Sequence, residues 1–366
     1  FCLPCRSGIP LRKQPSRRSR TVDRCFRFLV RRVSASPVES RRVVSRKAAA
    51  TLARLFVLVA CGLPVASAWA QSEAVGLLRS MTGALRTLDY QGSFVYEHNG
   101  GIDALRIFHE GGKNERERLT SLNGPRSEVM REEDLITCTQ ADGTVAVFPN
   151  HSDSRLLPLV PRRLALSTMY EASTGGEDRV AGYRARIVDI LPQDGYRYGY
   201  RLWLETGSSL PLRVAMMDSG RRVLEQFMFV SIDIHVRPNA GDLLASTSAG
   251  SARVPDEVAL TTPPRWRIAD PPPGFSYVDG YRPALAPTQS EHYVYGDGIA
   301  NVSVYVEPAD SHQVTAPDAT MSRGALNVYS HSDGEWRITV LGDVPRATVQ
   351  RMARSLQPAA QAPAVR

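Results

Sequence analysis

Apolar and polar positions alternate in two different ways along this chain. Residues 72–88 carry apolar side chains at spacings of three and four, which predicts one amphipathic helix. After that helix the period changes to two, in runs such as Phe94–Glu97 and Leu105–Phe108. Turn signals separate the runs, among them Asn99-Gly100-Gly101 and Asp142-Gly143. Short alternating runs joined by turns rich in Gly and Asn predict an antiparallel β-meander.

The alternating pattern stops over residues 238–264, where Ser, Thr, Ala, Gly and Pro dominate. This composition predicts a linker between two domains. Beyond it, alternating runs and one helical segment predict a smaller unit, with Asp343 as the cap of a helix from Pro345 to Leu356. The strands predicted after residue 180 are Ala185–Ile190, Tyr196–Leu204, Leu212–Met217, Val223–Ile234, Glu291–Tyr295, Ile299–Val306, Ala325–Tyr329 and Glu335–Leu341.

These patterns together predict an α+β fold that is mainly antiparallel β and has two domains. A leader with a signal peptide should occupy residues 1–70, and a large domain residues 71–237. The linker, residues 238–264, should lead into a small domain, residues 265–356, followed by a disordered tail, residues 357–366.

The leader has the order of segments that directs a protein to export. A basic region around Arg41 and Lys47 precedes an apolar run, Leu55–Val65, and then the small residues of Ala66–Ala70. This order predicts a signal peptide over about residues 41–70, cleaved after Ala70, and a periplasmic location. A lipid-modified Cys61 is the competing interpretation, but Arg54 would leave too short an apolar run before that cysteine.

Removing the leader changes both the charge and the cysteine content of the chain. The full chain has a net charge of +8, but residues 1–70 hold 15 basic and 2 acidic residues, which leaves 30 basic and 35 acidic. An acidic remainder argues against a nucleic-acid-binding face. Four of the five cysteines also lie in the leader, so we expect Cys138 to form no disulfide within the exported chain.

No sequence motif for catalysis, phosphate binding, a cofactor or a metal is present, so we expect no enzymatic activity. Two other stretches leave alternatives open. Glu115–Arg118 alternates in charge, which fits cross-strand ion pairs on a solvated sheet face, with a ligand-binding arginine as the alternative. Tyr196–Leu204 alternates aromatic residues with arginines, which fits either a structural sheet or a wall that contacts lipid or peptide.

Several segments, in their order and spacing, resemble the RseB/MucB family of periplasmic regulators of sigma-E-type envelope-stress sigma factors. The resemblance covers about residues 72–356. The segments that carry it are Leu88–His98, Arg106–Glu110, Glu117–Leu119, Glu128–Arg131, Arg197–Trp203, Leu224–Phe227, Asp297–Glu307 and Gly342–Pro345.

The resemblance implies a large domain like that of the lipoprotein carriers, an incomplete antiparallel barrel wrapped on a helix. It implies a small domain that binds the periplasmic region of a single-span anti-sigma factor and shields it from proteolysis, with lipid or lipopolysaccharide as the displacing signal. A periplasmic lipid or lipoprotein carrier is the alternative function, and an envelope hydrolase is a third. The second unit at residues 265–356 favours the regulator, and a homo-oligomer is an open question.

Two sets of residues are the predicted binding sites. The lipid-binding wall would comprise apolar side chains of the large domain, and plain core packing is the alternative for each of them. These residues are Phe94, Tyr96, Ile107, Leu119, Val129, Leu135, Leu202, Leu204, Phe227 and Phe229. The partner-binding set lies on small-domain strands, where tyrosines suit an interface, although the same face could instead dock on the large domain. These residues are Tyr293, Tyr295, Val302, Val304, Tyr305 and Tyr329.

Overall fold

A computed structural model describes most of the chain from Leu63 onward. The described residues are 63–132, 135–149, 156–160, 166–245, 257–283, 289–309 and 318–359, and every structural statement below concerns these residues. Within them, no helix has both the length and the apolar character needed to cross a membrane.

The larger sheet, called the large sheet here, contains eleven antiparallel strands. Their bounds are β1 Tyr90–His98, β2 Gly101–Glu110, β3 Arg116–Ser121, β4 Glu128–Glu132, β5 Leu135–Thr139, β6 Val145–Pro149, β7 Tyr170–Val180, β8 Tyr183–Pro192, β9 Gly199–Glu205, β10 Pro211–Met217 and β11 Val223–Ile234. The spatial order is β6-β5-β4-β3-β2-β1-β11-β10-β9-β8-β7, so the sheet is open, with β6 and β7 at its edges. The chain thus forms two meanders that meet where β1 pairs with β11.

Helix α1, Leu63–Thr87, packs against one face of the large sheet. Leu78, Met81 and Leu85 are almost fully buried in the core that this sheet forms. The three-and-four spacing of apolar residues predicted this helix, and the structure confirms it while extending its start back to Leu63. One apolar stripe on the helix is enough to bind it to the sheet, since its other faces are solvated.

The long strand β7 was not predicted from the sequence. Its alternation is interrupted at Gly175 and Gly176. In the structure these glycines fall at a register shift between Thr174 and Glu177 in the pairing of β7 with β8. A β-bulge of this kind places an extra residue in one strand and so breaks the period of two without ending the strand.

The second sheet, called the small sheet here, contains seven antiparallel strands in the order β12-β14-β15-β16-β19-β18-β17. The strands are β12 Glu257–Ala259, β14 Ser276–Pro283, β15 Glu291–Gly296, β16 Asn301–Pro308, β17 Ala319–Arg323, β18 Leu326–Asp333 and β19 Trp336–Gly342. A separate pair, β13 Trp266–Ile268 with β20 Leu356–Pro358, completes the strands. The predicted α+β fold, mainly antiparallel β, is confirmed.

Helix α2, Arg346–Arg354, covers one face of the small sheet through Val349, Met352 and Ala353. The cap prediction was wrong, because Pro345 and not Asp343 is the N-cap residue. Proline suits this position because its fixed φ and missing N–H cost little at a helix start. The helix also ends before Leu356, which is buried and begins β20.

The predicted linker and tail both contain regular structure. Residues 238–264 include a short 3-10 helix, Ala240–Leu243, and the strand β12, while residues 246–256 lie outside the described part. In the predicted disordered tail, Gln357 and Pro358 pair with β13. Three-residue strands are too short to show a period in sequence, so only their pairing reveals them.

Among the residues that the structure describes, Cys138 is the one cysteine, and the leader is described only from Leu63 onward. In the full chain, Cys138 is buried and disulfide-bonded, and the other cysteines all fall outside the described residues. The expectation that Cys138 forms no disulfide was made for the exported chain alone and stays a prediction for that form. The predicted cleavage position after Ala70 lies within α1, and residues 1–62 fall outside the described part.

Candidate functional site

The apolar face of the large sheet that α1 covers is built from cross-strand rows of side chains. In one row, Val188, Leu202, Val214, Phe227 and Tyr96 are direct neighbours on five adjacent strands. All five are buried. Because every second residue of a strand points to the same side, this register places the whole row beneath α1.

Most of the predicted lipid-binding residues lie on this face. Phe94, Tyr96, Ile107, Leu119, Leu202, Leu204, Phe227 and Phe229 are buried members of one core cluster with α1, and Val129 packs against it partly buried. Phe94, Phe227 and Phe229 form edge-to-face ring contacts with centroids 5.5–6.0 Å apart. The face is therefore occupied by the protein's own side chains, and a ligand would have to displace some of them.

Leu135 is the exception within the predicted wall. Its side chain is 52% exposed, and it pairs with Pro149 at the start of β5, close to the open edge of the sheet. The period of two put Leu135 on the apolar face in the sequence. The structure separates it from the other nine residues, because the register that pairs Val129 with Cys138 places Leu135, opposite Glu132, on the other face of the sheet.

The apolar face ends at a hydrogen-bonded contact with the small sheet. Tyr96 donates its hydroxyl to Glu225 Oε2, and Glu225 Oε1 accepts the backbone N–H of Ala325 at 2.8 Å. Burial and then the negative charge of Glu225 raise the pKa of Tyr96 well above its ordinary range. The hydroxyl therefore stays protonated and remains a donor. Two successive hydrogen bonds through Glu225 thus link Tyr96, a predicted wall residue, to Ala325 beside the small sheet.

A buried ion pair forms a second connection between the two sheets. Arg197 Nε lies 2.7 Å from Asp297 Oδ2, and both side chains are fully buried. The Tyr170 hydroxyl donates to the same Oδ2 at 3.0 Å. Asp297 Oδ1 accepts the N–H groups of Ile299 and Ala300 at 2.9 and 2.8 Å, so both carboxylate oxygens are saturated.

The rest of the Arg197 guanidinium is satisfied as well. It donates to Asp194 Oδ2 and to the Pro273 carbonyl, each at 2.5 Å. Its Cζ lies 4.9 Å from the Phe275 ring centroid and 5.5 Å from that of Tyr170, as in cation–π contacts. Full pairing of this kind is what permits a buried charge. The sequence alone had left Arg197 as part of an exposed or ligand-facing strand.

Further contacts at this junction come from residues that the sequence did not single out. Asn327 donates to the Tyr198 hydroxyl at 3.1 Å and to the Val344 carbonyl at 2.8 Å. Thr348 of α2 donates to the Tyr196 carbonyl at 2.6 Å. Ile299 and Ala325 are part of the large-sheet core although they belong to the second half of the chain. The ends of the small strands and α2, rather than a sheet face, thus contact the large sheet.

Five of the six predicted partner-binding residues are core residues of the small sheet. Tyr293, Tyr295, Val302, Val304 and Tyr329 are at most 5% exposed and cluster with the apolar residues of α2. Alternation in sequence shows that the two faces of these strands differ, but only the position of α2 decides which face is covered. These five side chains lie on the covered face.

Tyr305 lies on the opposite face of the small sheet. Its ring stacks on His292 with centroids 4.2 Å apart and an interplanar angle of 9°. The register continues this row to Thr339 and Ser330, whose hydroxyl oxygens are 2.8 Å apart. This mixed apolar and polar face, partly exposed, is the side of the small sheet that α2 does not cover.

Charged side chains of β2, β3 and β4 form a compact buried cluster beside α1. Arg131 and Glu117 face each other across adjacent strands, and His109 and Glu115 lie next to them. The expected cross-strand ion pairs of Glu115–Arg118 are present, but Glu117 and Arg131 are buried and not solvated. His109, Glu115 and Glu117 could hold a metal, since their ligand atoms lie within 4.8 Å of one another.

Comparison with protein-family models gives a match over nearly all of the described chain. Residues 73–248 match the MucB/RseB N-terminal domain, and residues 261–357 match the MucB/RseB C-terminal domain. The two matches occur in the same order as the two sheets. They confirm the family resemblance seen in the sequence motifs.

Individual relatives agree with the family models. The chain is 32% identical over 305 residues to the sigma factor AlgU regulatory protein MucB of Pseudomonas aeruginosa, covering 80% of this chain and 93% of the relative. It is 26% identical to the sigma-E factor regulatory protein RseB of Escherichia coli K12, with the same coverage. A crystal structure of MucB in complex with MucA(peri) is 31% identical, with a TM-score of 0.61 over 78% of this chain and 99% of that one.

Proposed function

The chain belongs to the MucB/RseB family of sigma factor regulatory proteins, and we propose that it binds the periplasmic region of a membrane-spanning anti-sigma factor and shields it from proteolysis. The crystallised complex of a relative with MucA(peri) is the observation that carries the proposal. The chain contains counterparts of both family domains. On this proposal it acts by binding alone and has no catalytic activity.

We propose a periplasmic location and the domain boundaries predicted from the sequence. The leader, residues 1–70, is removed after Ala70, and a large domain, residues 71–237, carries the large sheet. Residues 238–264 connect it to a small domain, residues 265–356, which carries most of the small sheet. The N-terminus of the exported protein, determined by mass spectrometry, tests the first boundary, and a lipid-modified Cys61 there would contradict it.

The partner-binding surface that we propose is the uncovered face of the small sheet around Tyr305. The other five predicted residues support that face from beneath, within the core under α2. The alternative, in which this face docks on the large domain, is disfavoured because the junction uses Asp297, Ala325 and Asn327 at the strand ends instead. On this proposal the partner segment binds the face of the small sheet that α2 does not cover.

Calorimetric titration of the full exported chain with the partner's periplasmic region tests this assignment. Separate halves are unsuitable, because each would expose the buried side of Arg197 or Asp297. We expect Tyr305→Ala to weaken binding by about tenfold or more, as for an interface aromatic residue. Arg184→Ala, on an exposed part of the large sheet, is the matched control and should bind normally. No binding by the unmodified chain would refute the function, whereas normal binding by Tyr305→Ala would refute only the surface.

We propose that lipid or lipopolysaccharide is the regulatory ligand and that it binds the large-sheet face under α1. Nine of the ten predicted wall residues lie on that face, and they are already packed against α1 or its neighbours. An acyl chain can reach them only if α1 moves away, because packed interiors have no room for it. Lipid binding should therefore expose α1.

Hydrogen exchange measured with and without lipopolysaccharide tests the lipid site. Amides of α1 should exchange faster when the ligand is present, while those of β18 and β19 in the small sheet should serve as an unaffected reference. Saturable lipid binding without any change in α1 would place the ligand elsewhere. Absence of binding would remove lipid from the proposed function without affecting the partner.

A further inference from the structure

His109, Glu115 and Glu117 meet at the point where the chain leaves α1 and the sheet begins. His109 lies on β2, Glu117 lies on β3, and Glu115 directly precedes β3. His109 Nε2 is 3.1 Å from Glu115 Oε1 and 3.7 Å from Glu117 Oε1. The side chains of His109 and Glu117 are at most 1% exposed, so this is an interior site.

The Leu88 carbonyl determines which nitrogen of the His109 ring is the hydrogen-bond donor. Its Nδ1 lies 2.8 Å from the Leu88 carbonyl oxygen, which can only accept, so Nδ1 must carry a hydrogen. In the neutral imidazole, Nε2 then has a lone pair and no hydrogen. That lone pair points at two carboxylate oxygens. Nε2 and Glu117 Oε1 are then two acceptors that face each other at 3.7 Å with no hydrogen between them.

Arg131 balances the cluster from its other side. Its Nε is 2.7 Å from Glu117 Oε2, and its Nη2 is 2.6 Å from Glu115 Oε1. Glu117 Oε2 also accepts the Leu156 N–H at 3.1 Å. Burial opposes the charge on Arg131, but the two carboxylates outweigh it and raise its pKa. Arg131 therefore contacts both carboxylates of the cluster.

Glu117 Oε1 points independently to a ligand. This buried oxygen has no hydrogen-bond partner among the described residues, and it is aimed at His109 Nε2. The other oxygen of the same carboxylate is held by Arg131 and Leu156, so the group cannot turn to satisfy both. Buried carboxylate oxygens are ordinarily paired.

We propose that this cluster binds a divalent cation of the zinc class through His109 Nε2 and one oxygen each of Glu115 and Glu117. Tetrahedral zinc with bonds of about 2.0–2.1 Å has ligand atoms about 3.3 Å apart, and the spacings at Nε2 bracket that value. The Leu88 carbonyl supplies the outer hydrogen bond typical of a zinc-bound histidine. Glu115, whose side chain is 17% exposed, leaves access for the ion and a water ligand.

The bound cation would connect the C-terminal end of α1 to the start of β3. Leu88 directly follows α1, so the outer hydrogen bond joins the helix end to the metal site through His109. Binding to the folded state alone would raise the thermal midpoint by several degrees, about 5 °C at a hundredfold excess over the dissociation constant. This role is independent of partner and lipid binding.

Calorimetric titration of the exported chain, residues 71–366, with zinc chloride tests the site. This form lacks the four leader cysteines, which would bind zinc themselves. One zinc ion should bind per chain with a dissociation constant of about 1 µM or lower. Glu115→Gln should weaken binding at least about tenfold, and His109→Gln should abolish it. His98→Gln removes a mostly buried histidine that is paired with Asp103 and should leave zinc binding unchanged.

X-ray absorption at the zinc edge gives a second readout. It should show one imidazole and oxygen ligands at about 2.0–2.1 Å in the unmodified chain. Glu115→Gln keeps the test valid if His109→Gln does not fold, because Glu115 is partly exposed; circular dichroism checks both variants. The proposal is overturned if the unmodified chain shows no saturable binding. It is equally overturned if binding survives Glu115→Gln unchanged.

Discussion

Arg197 and Asp297, a hundred residues apart in sequence, form a fully buried ion pair at 2.7 Å that joins the large sheet to the small sheet. Each charge is satisfied by further hydrogen bonds: Asp297 accepts the N–H groups of Ile299 and Ala300, and Arg197 donates to Asp194 and to the Pro273 carbonyl. A pair of this kind contributes little net stability compared with an apolar pair, but either charge left alone is costly.

Removing one member of this pair should therefore destabilise the protein strongly. We expect Arg197→Ala to lower the free energy of unfolding by about 3–5 kcal/mol, because Asp297 would remain buried without its partner. Guanidinium denaturation measures this. The double variant with Asp297→Ala should cost less than the sum of the two single changes. Arg184→Ala, at a side chain 74% exposed, is the control and should cost under about 1 kcal/mol. Additive costs in the double variant would contradict direct coupling.

The hydrogen bond from Tyr96 to Glu225 should stabilise the contact between the sheets. Tyr96→Phe keeps the ring in the core and removes only the donor, which should cost about 1–3 kcal/mol because Glu225 is buried. Thermal unfolding measures the loss. Tyr277→Phe, at a residue 39% exposed, is the matched control and should leave the midpoint nearly unchanged. Equal effects of the two substitutions would mean that the Tyr96 hydroxyl contributes nothing specific.

Alanine substitutions at two glycines with the same backbone conformation distinguish the cost of backbone strain from the cost of a steric contact with Glu225. Gly324 and Gly334 have φ of +60° and +61°, but a Cβ at Gly324 would overlap the Glu225 carboxylate whereas Gly334 faces open space. Both alanine substitutions pay about 1–2 kcal/mol for the left-handed backbone. Gly324→Ala should cost about 1–3 kcal/mol more, because Glu225 must move from Ala325. Equal stabilities of the two variants by denaturation would show that Glu225 moves without cost.

The turn between β9 and β10 should contribute stability that depends on pH. Burial acts to raise the pKa of Glu205, but the N–H groups of Gly207 and Ser208, at 2.9 and 2.6 Å, outweigh it and lower that pKa. A lowered carboxyl pKa gives stability that is present above the ordinary value of 4.5 and is lost as pH falls through the folded value.

We therefore expect Glu205→Gln to cost about 1 kcal/mol at neutral pH, a modest value because water screens this partly exposed group. The difference from the unmodified chain should shrink as the pH falls well below 4.5. Denaturation at pH 7 and at pH 3 measures both values. A difference that is the same at the two pH values would show that the charge of Glu205 does not matter.

The sequence by itself determined helix α1, most of the longer strands and the apolar sides that they bury. Apolar residues three and four apart placed Leu78, Met81 and Leu85 on one side of α1, and alternation placed Phe94, Leu202 and Phe227 on one side of the sheet. These are local periodicities of 3.6 and 2, which the backbone geometry alone imposes. The family motifs, read in order, also identified the family, because motif order and spacing need no three-dimensional information.

The tertiary structure alone decided which polar residues are buried together. Arg197 meets Asp297, Glu225 meets Ala325, and His109 meets Glu117 across strands or sheets, and no local pattern marks any of these partners. It also decided which face of the small sheet α2 covers, which placed Tyr293 in the core and left Tyr305 on the uncovered side. Alternation says that two faces differ, but the partner of each face depends on how distant parts of the chain pack.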